Sequence, residues 1–553
     1  MRILGLGLVV AGGLAAAMLY APAVVAQTSD ALTGQVSSAQ EGAMEGVVVS
    51  AKKANSIVTV SVVTDRDGRY RFPATRLEPG AYAVTIRASG YDVDGKIAAE
   101  VEAGKATTAD IKLKPTKNLP SQLTNAEWLA SMPGGDGQKK ALLNCIGCHD
   151  LDRIVRSTHD ADEFMQIFDR MAGYYPGSTP ENPQRLIGDA RRNIGQGPGI
   201  RGMAEYLASV NLSNDETWSY PLKTFKRPTG RATHVIVTEY DLPRKKIQPH
   251  DVVLDAQGQV WFTHFAEQFL GRFDPKTLKV SEYPLPVIKE GYPIGTLDLE
   301  TEKSGKLWVS MMYQGGVARF DPKTEKFETW SVPKEWQTDA TQQAFVTPVS
   351  SEVDGKVWVK NSDRAQILRL DPATSKWETF GSFKDPATGK TITSYGIPAD
   401  AENNLYLLDF ASSNVGRLDA KTGELKVFKG AIANSRPRRG RFDDQNRLWF
   451  AEYGGNAIGM LDPTSGKVQE WALPLPWEQP YDAVLDKSGE AWTGSMLSDR
   501  VSRLDPKTGE FVEYLLPRRT NIRRVFVDNT TTPPTLWVGN NHGAAIVKIE
   551  PLD

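Results

Sequence analysis

Chemistry-bearing side chains are scarce in this sequence. Among 553 residues there are two cysteines and six histidines. Both cysteines fall in one pentapeptide, Cys145-Ile146-Gly147-Cys148-His149. Two thiols with two residues between them, followed at once by a histidine, form the c-type haem attachment pattern. The thiols add across two vinyl groups of the macrocycle, and the adjacent imidazole reaches the iron from the proximal side. A zinc site would need further Cys or His ligands nearby. A thioredoxin-like dithiol would need a βαβ setting, which the flanking sequence lacks. The expectation is one covalent haem c held by Cys145, Cys148 and His149. That uses both thiols and leaves none for a disulfide framework or an iron–sulfur cluster.

The sixth iron ligand is expected from Met171. A helical stripe of Phe164, Ile167, Phe168 and Met171 runs here into a loop rich in Gly and Pro. The Arg170-Met171 step after the haem motif resembles that of the small cytochrome domains of quinohaemoprotein dehydrogenases. Thioether ligation raises the potential relative to a second His. Packing on the apolar stripe is the other use of Met171. Met203, on a later helical stretch, and His159, between Thr158 and Asp160, are the alternatives. Arg153 and Arg156 could pair with haem propionates, since guanidinium matches carboxylate geometry, or could lie on a solvated face. The stretch from Arg201 to Val210 resembles the C-terminal helix of class I cytochromes c. Residues 120–215 are therefore expected to form an all-α, mono-haem cytochrome c domain.

Other elements must position this motif. The run Ile3 to Ala26 is apolar, ends in the small residues Val24-Val25-Ala26, and precedes polar Gln27-Thr28-Ser29-Asp30. It reads as a signal peptide over residues 1–26, although its length would also suit an uncleaved anchor. The protein is then expected to be periplasmic, with no membrane span in the mature chain. Residues 31–115 alternate short β-rich runs (Val47-Val48-Val49, Ile57-Val58-Thr59-Val60, Val84-Thr85-Ile86) with turn signals such as Asp65-Arg66-Asp67-Gly68 and Glu78-Pro79-Gly80. Together with Arg69-Tyr70-Arg71-Phe72 and Ala88-Ser89-Gly90-Tyr91, they resemble the carboxypeptidase regulatory-like domain family. The resemblance implies a small β-sandwich without a catalytic role.

From about residue 230 the chain repeats. A cassette like Arg272-Phe273-Asp274-Pro275-Lys276-Thr277 recurs around Asp321, Asp371, Asp419, Asp462, Asp505 and Glu550. Ahead of each lies a strand with an aromatic: Trp261, Trp308, Trp358, Tyr406, Trp449, Trp492 and Trp537. Seven units at a period near 45 residues predict a seven-bladed β-propeller over 230–553. The seventh cassette has no following strand. The matching strand stands before the first unit, at Val235 to Asp241, and is expected to close the ring. The fold class expected is thus a β-sandwich, an all-α cytochrome c domain and a seven-bladed propeller in one chain.

The unit wording, including Pro249-His250-Asp251, Gln259-Val260-Trp261-Phe262-Thr263 and Arg447-Leu448-Trp449-Phe450-Ala451-Glu452, resembles the streptogramin B (virginiamycin B) lyase family. That resemblance implies a His general base and a magnesium site involving a Glu after the strand. His250 fits the first role, but His264 stands where that Glu would be. The unit that keeps the acid, Glu452, has Arg438 in place of the His. Eleven residues before the strand aromatic stand His250, Tyr395, Arg438 and Tyr481. Three after it stand His264, Asn361, Asp409, Glu452, Ser495 and Asn540. Both sets are expected near the axial mouth. His250, His264 and Glu452 are the candidate catalytic residues there, for proton transfer or for binding a transition metal. Either histidine could equally be structural. His542 could join them or sit in a tight turn, and His234 is read as structural.

Charge is balanced, with 65 basic and 67 acidic residues. There is no basic footprint for nucleic acid. Three function classes fit. One is a periplasmic c-type cytochrome passing electrons between its haem and a redox partner or small-molecule substrate. Another is a C–O lyase with an attached cytochrome. The third is a binding or scaffold protein.

Overall fold

The structure is a computed structural model and describes residues 30–179, 182–192, 197–211, 220–347 and 351–553. The expected signal peptide lies outside the described residues. Among them, no helix is long and apolar enough to cross a membrane.

Residues 30–115 form two facing sheets. One holds Asp30–Ser38 and Ile111–Pro115; the other holds Val48–Lys53, Val58–Val63, Gly80–Arg87 and Ala98–Val101. Strand side chains alternate between faces, so Leu32, Val36, Tyr70 and Phe72 meet Val49, Val60, Val62, Tyr82 and Val84 in one core. The turn at Asp65 works as its sequence suggests. Its Oδ1 accepts from the backbone N–H groups of Asp67 and Arg69 at 3.0 and 2.9 Å, and Gly68 takes a left-handed φ of +70°.

Residues 235–551 form seven radial sheets. Six follow one another from Pro249–Leu254 to Glu510–Leu515. The fourth has three strands, completed by an isolated bridge between Ala399 and Leu405. The seventh joins Val525–Asp528, Thr535–Asn540 and Ala545–Pro551 to the early strand Val235–Asp241, which pairs antiparallel from Val235↔Pro551 to Asp241↔Ala545. The repeated residues explain each other. Trp261 Nε1 donates to Asp255 at 2.8 Å, and Trp449 and Trp492 repeat this with Asp443 and Asp486. The cassette arginine then stacks on the same indole, as Arg272 does on Trp261 and Arg503 on Trp492.

The sequence did not announce how the sandwich joins. Val235–Asp241 pairs on its far side with Val58–Val63, from Ile236↔Val62 to Tyr240↔Val58. One continuous eight-stranded sheet therefore runs from the seventh blade into the sandwich. Arg87 fastens the junction through Asp499 at 2.6 Å and the Leu516 carbonyl at 2.8 Å.

The expectation of an all-α cytochrome c domain over 120–215 is overturned. The protein is mostly β, and the helices of this stretch are Asn125–Ser131, Asp136–Ala141, Asp152–Val155, Ala161–Ala172 and Ile200–Val210. They do not enclose a core of their own. Trp128, Leu142, Ile146, Phe164 and Leu207 share one hydrophobic cluster with Tyr453, Tyr481, Met496 and Leu497 of the propeller. The apolar stripes were real, but part of what covers them is the propeller.

Candidate functional site

The haem-type motif follows a short turn of helix, Leu142–Asn144, and its Cys145 N–H donates to the Leu142 carbonyl at 2.9 Å. Its middle residues are seated on the propeller. Ile146 is fully buried. Asn521 Nδ2 donates to the Ile146 carbonyl at 3.3 Å, and Arg523 Nη2 donates to the Gly147 carbonyl at 3.1 Å.

On the other side of the motif lies a cavity of about 370 Å3, lined by Cys148, His149, Arg153, Ile154, Phe164, Ile167, Arg170, Met171, Tyr174, Tyr175 and Arg192. A smaller space beside it, about 60 Å3, adds Cys145, Phe168 and Leu207. Met171, at the end of the helix Ala161–Ala172, lines both. His149 Nδ1 lies 3.1 Å from the Asp150 carbonyl. Nδ1 must donate in that bond, which leaves the Nε2 lone pair free. Burial pulls the imidazole below its usual pKa, so the neutral form is favoured. Burial, then the neighbouring Cys148, pushes the Cys145 thiol up to about 12. A thiol so protonated is a poor redox nucleophile. The walls are apolar with arginines among them, and two thiols, an imidazole and a thioether share the space. This donor set fits a covalently attached haem.

The other expected ligands stand as follows. Met203 packs at the edge of the hydrophobic cluster. His159 lines the larger cavity, with Nδ1 3.3 Å from Glu163. Arg153 faces the cavity, whereas Arg156 turns to Asp152 at 3.8 Å. Sequence reasoning missed Arg170 and Arg192. Arg192 Nη2 donates to the Met171 carbonyl at 3.0 Å. No motif marks Arg192, and Arg170 drew notice only for its step to Met171, not for the cavity it lines.

The propeller mouth is a ring with one position per blade, three residues before the residue paired with the strand aromatic. It brings together His250, Tyr395, Arg438 and Tyr481, with Leu297 and Ala344 beside them and Arg523 from the last blade. Tyr481 Oη lies 3.1 Å from His250 Nε2 and 2.7 Å from Tyr395 Oη. Arg438 Nη2 donates to Tyr395 Oη at 3.2 Å. Burial pulls His250 down to about 4 despite Asp251, 2.8 Å from its Nδ1. Burial opposes ionisation of Asp251, but Arg439 and His250 outweigh it, and Asp251 stays well below the usual carboxylate range. Nδ1 therefore donates to Asp251 and Nε2 is left to accept. Arg523, like Ala344 of the third blade, escaped the sequence count because the turn after its strand is longer than in the blades of His250, Arg438 and Tyr481.

The other expected set does not converge there. His264 turns to Glu267 and Glu282, at 3.5 and 3.0 Å. Glu452, in the equivalent place of its blade, lies against Glu470, and burial followed by that carboxylate pushes it up to about 8. Asn361, Ser495 and Asn540 are tied to the carbonyls of Trp336, Glu478 and Arg519. Asp409 accepts from Thr393 N–H at 3.0 Å. His542 lies 3.6 Å from Asp150, and the His234 carbonyl accepts from Leu552 N–H at 3.0 Å. Among the described residues no group of three or more His, Cys, Asp or Glu is arranged to hold a metal ion.

Comparison with known proteins agrees with this architecture at both ends. Residues 31–114 match the carboxypeptidase regulatory-like domain, and residues 383–552 match the virginiamycin B lyase family. The propeller is virginiamycin B lyase-like. A streptogramin B lyase structure is 18% identical over 58% of this chain and 99% of its own, with a TM-score of 0.50. The selenomethionine-substituted virginiamycin B lyase from Staphylococcus aureus is 19% identical over 57% and 99%, with a TM-score of 0.48. The likeness to the streptogramin B lyase structure concerns the fold. No curated protein matches the chain.

Proposed function

We propose that this chain is an exported electron-transfer protein that carries one covalent haem c at Cys145, Cys148 and His149, with the virginiamycin B lyase-like propeller as its mount. The observation that carries the reading is the motif's setting. Its thiols and imidazole border a cavity shared with Met171, and its Ile146 and Gly147 carbonyls are held by Asn521 and Arg523. When bound, a haem supplies reversible one-electron chemistry at iron.

The chain's own residues would divide the remaining work. Cys145 and Cys148 attach the group, and His149 offers the Nε2 lone pair that its bond to Asp150 orients. Met171 offers its thioether. Arg153, Arg170 and Arg192 supply positive charge for two carboxylates. Ile154, Phe164 and Ile167 keep water out. One haem holds one electron, so a carrier serving a periplasmic dehydrogenase or similar partner ranks above a self-sufficient enzyme.

The match of residues 383–552 favours a second reading, a C–O lyase. Against it, His250 is 1% exposed within a mouth packed beneath Ile146, and Glu452 turns away to Glu470. The test is to follow the haem spectrum of the holoprotein as candidate substrates and partner dehydrogenases are added. The carrier reading expects reduction only with a partner. Reduction by substrate alone would make the protein an enzyme, and no reduction by either would remove the redox reading.

A further inference from the structure

Two layers of charge cross the propeller axis, and they are balanced differently. In the lower layer Arg439 grips Asp251 at 2.8 and 2.6 Å and also reaches Asp298, while Arg524 reaches Asp251 at 3.3 Å and Glu300 at 3.1 Å. The upper layer, next to the Cys145–His149 motif, is cationic. Arg438, Arg523 and Lys360 are all buried, and among the described residues none of the three has a carboxylate within ion-pair distance. Buried cations are normally paired, because taking a charge out of water uncompensated is expensive.

What these cations face instead is phenol. The Arg438 guanidinium lies 4.5 Å from the Tyr395 ring, 4.1 Å from Tyr481 and 4.5 Å from Tyr453. Arg523 lies 5.5 Å over Tyr481. Lys360 Nζ donates to the Tyr395 carbonyl at 3.2 Å and sits 5.5 Å from its ring. The two phenol oxygens are 2.7 Å apart.

We propose that the Tyr395–Tyr481 pair carries one proton fewer than two phenols and is the counter-ion of this cationic layer, and that it takes up the missing proton when an electron arrives at the Cys145–His149 site. The second half rests on the haem reading of the preceding subsection; the first half does not.

The hydrogen-bond chain has room for both proton inventories. With two phenols, Tyr395 donates to Tyr481 and Tyr481 donates to His250 Nε2. With one phenol, Tyr481 donates to the Tyr395 phenolate, which also accepts from Arg438. Burial pushes both groups up, but beside Arg438 the balance falls below the usual phenol value for Tyr395, while Tyr481 stays well above it. The charge thus belongs on Tyr395. Other titratable groups facing the pair are Arg436, which stacks on Phe410 and Tyr453, the neutral His250 with its Asp251, and Tyr453. Burial alone brings Lys360 down to about 7, so part of its charge is already lost at neutral pH. From the motif Ile146 shares the hydrophobic cluster of Tyr481, and the Gly147 carbonyl accepts from Arg523. Arg523 links the two, with its side chain on both the Gly147 carbonyl and the Tyr481 ring.

The step balances simply. An external one-electron donor reduces the iron by one electron, one solvent proton adds to Tyr395 Oη, no bond between heavy atoms changes, and oxidation reverses both. Negative charge arriving near a buried phenolate raises its proton affinity.

The experiment uses the full-length holoprotein. Tyrosine uniformly labelled at Cζ reads ionisation by NMR, and tyrosinate ultraviolet absorbance reads it independently. One ionised tyrosine at pH 7 is expected in wild type, none in Tyr395→Phe, and a titration moved to higher pH in Arg438→Gln. With small-molecule mediators fixing the potential, the reduced-to-oxidised ratio should fall as pH rises, by up to about tenfold per unit, and this slope should flatten in Tyr395→Phe. If every tyrosine is protonated from pH 7 to 9, the counter-ion assignment is overturned. An ionised tyrosine with a pH-independent ratio overturns only the coupling. A chain without haem still decides the first half through the tyrosine signals, and the wild-type NMR titration needs no variant to fold.

Discussion

At the scale of single side chains, Glu452 ties burial to pH. Its carboxyl has lost water and faces Glu470, and its pKa rises from 4.5 to about 8. Below pH 4.5 both folded and unfolded states hold the proton, and the residue is neutral to stability. As pH climbs toward 8 the unfolded state ionises while the fold does not, so stability is lost across that window. Glu452→Gln should remove the loss. The variant's advantage in chemical denaturation should be near zero at pH 4.5 and reach about 4 kcal/mol at pH 8. An advantage independent of pH would place the effect elsewhere. Met171 carries a second prediction. Met171→His should keep the haem attached while lowering its potential, because imidazole replaces thioether. Redox titration reads this directly, and an unchanged potential would remove Met171 from the iron. At this scale the sequence singled out Cys145 to His149 by spacing alone, and the structure places those residues along one cavity. The sequence was silent on Arg192, Arg523 and Lys360, whose roles come from burial that no local pattern records.

At the scale of elements, the motif loop and the seventh blade act together. Asn521 and Arg523 donate to the two middle carbonyls of the motif. An Asn521→Ala, Arg523→Ala double variant leaves those carbonyls unpaired at a cost of about 2–4 kcal/mol. Amide exchange should quicken from Leu142 to His149 while the blade strands keep their protection. Equal loss of protection throughout would mean the contacts serve the whole propeller and not the loop. The blades were legible because each repeats a strand aromatic ahead of its cassette; at Trp261, Trp308 and Trp492 an acid caps the indole and the cassette arginine stacks on it. The mouth ring was legible in blades where the turn length is constant and lost in the third and the last, where it is longer. The helices were legible from their apolar stripes. Periodicity reports that a face is buried without naming what buries it, and so the stripes of Phe164 and Leu207 suggested a self-contained helical domain where part of the cover is Tyr481 and Met496.

At the scale of the whole molecule, three sequence blocks behave as one body. The strand Val235–Asp241 closes the propeller on one edge and pairs with the sandwich on the other. A chain lacking residues 31–115 exposes that edge, and unpaired edges invite association. It should melt at lower temperature and scatter more light at equal concentration. Identical melting would show that the shared sheet adds nothing to the ring. The same arrangement seats the motif on the mouth of a closed propeller, and this is what the proposed carrier reading builds on. The central claim is therefore the covalent haem. Its most direct measurement is the intact mass and pyridine haemochrome spectrum of the full chain, exported in a host competent for c-type maturation. The account predicts a mass increased by one haem, a thioether-type spectrum, and loss of both in a Cys145→Ala, Cys148→Ala variant. A wild-type chain that matures without added mass while a control c-type cytochrome in the same cells acquires its haem would contradict it.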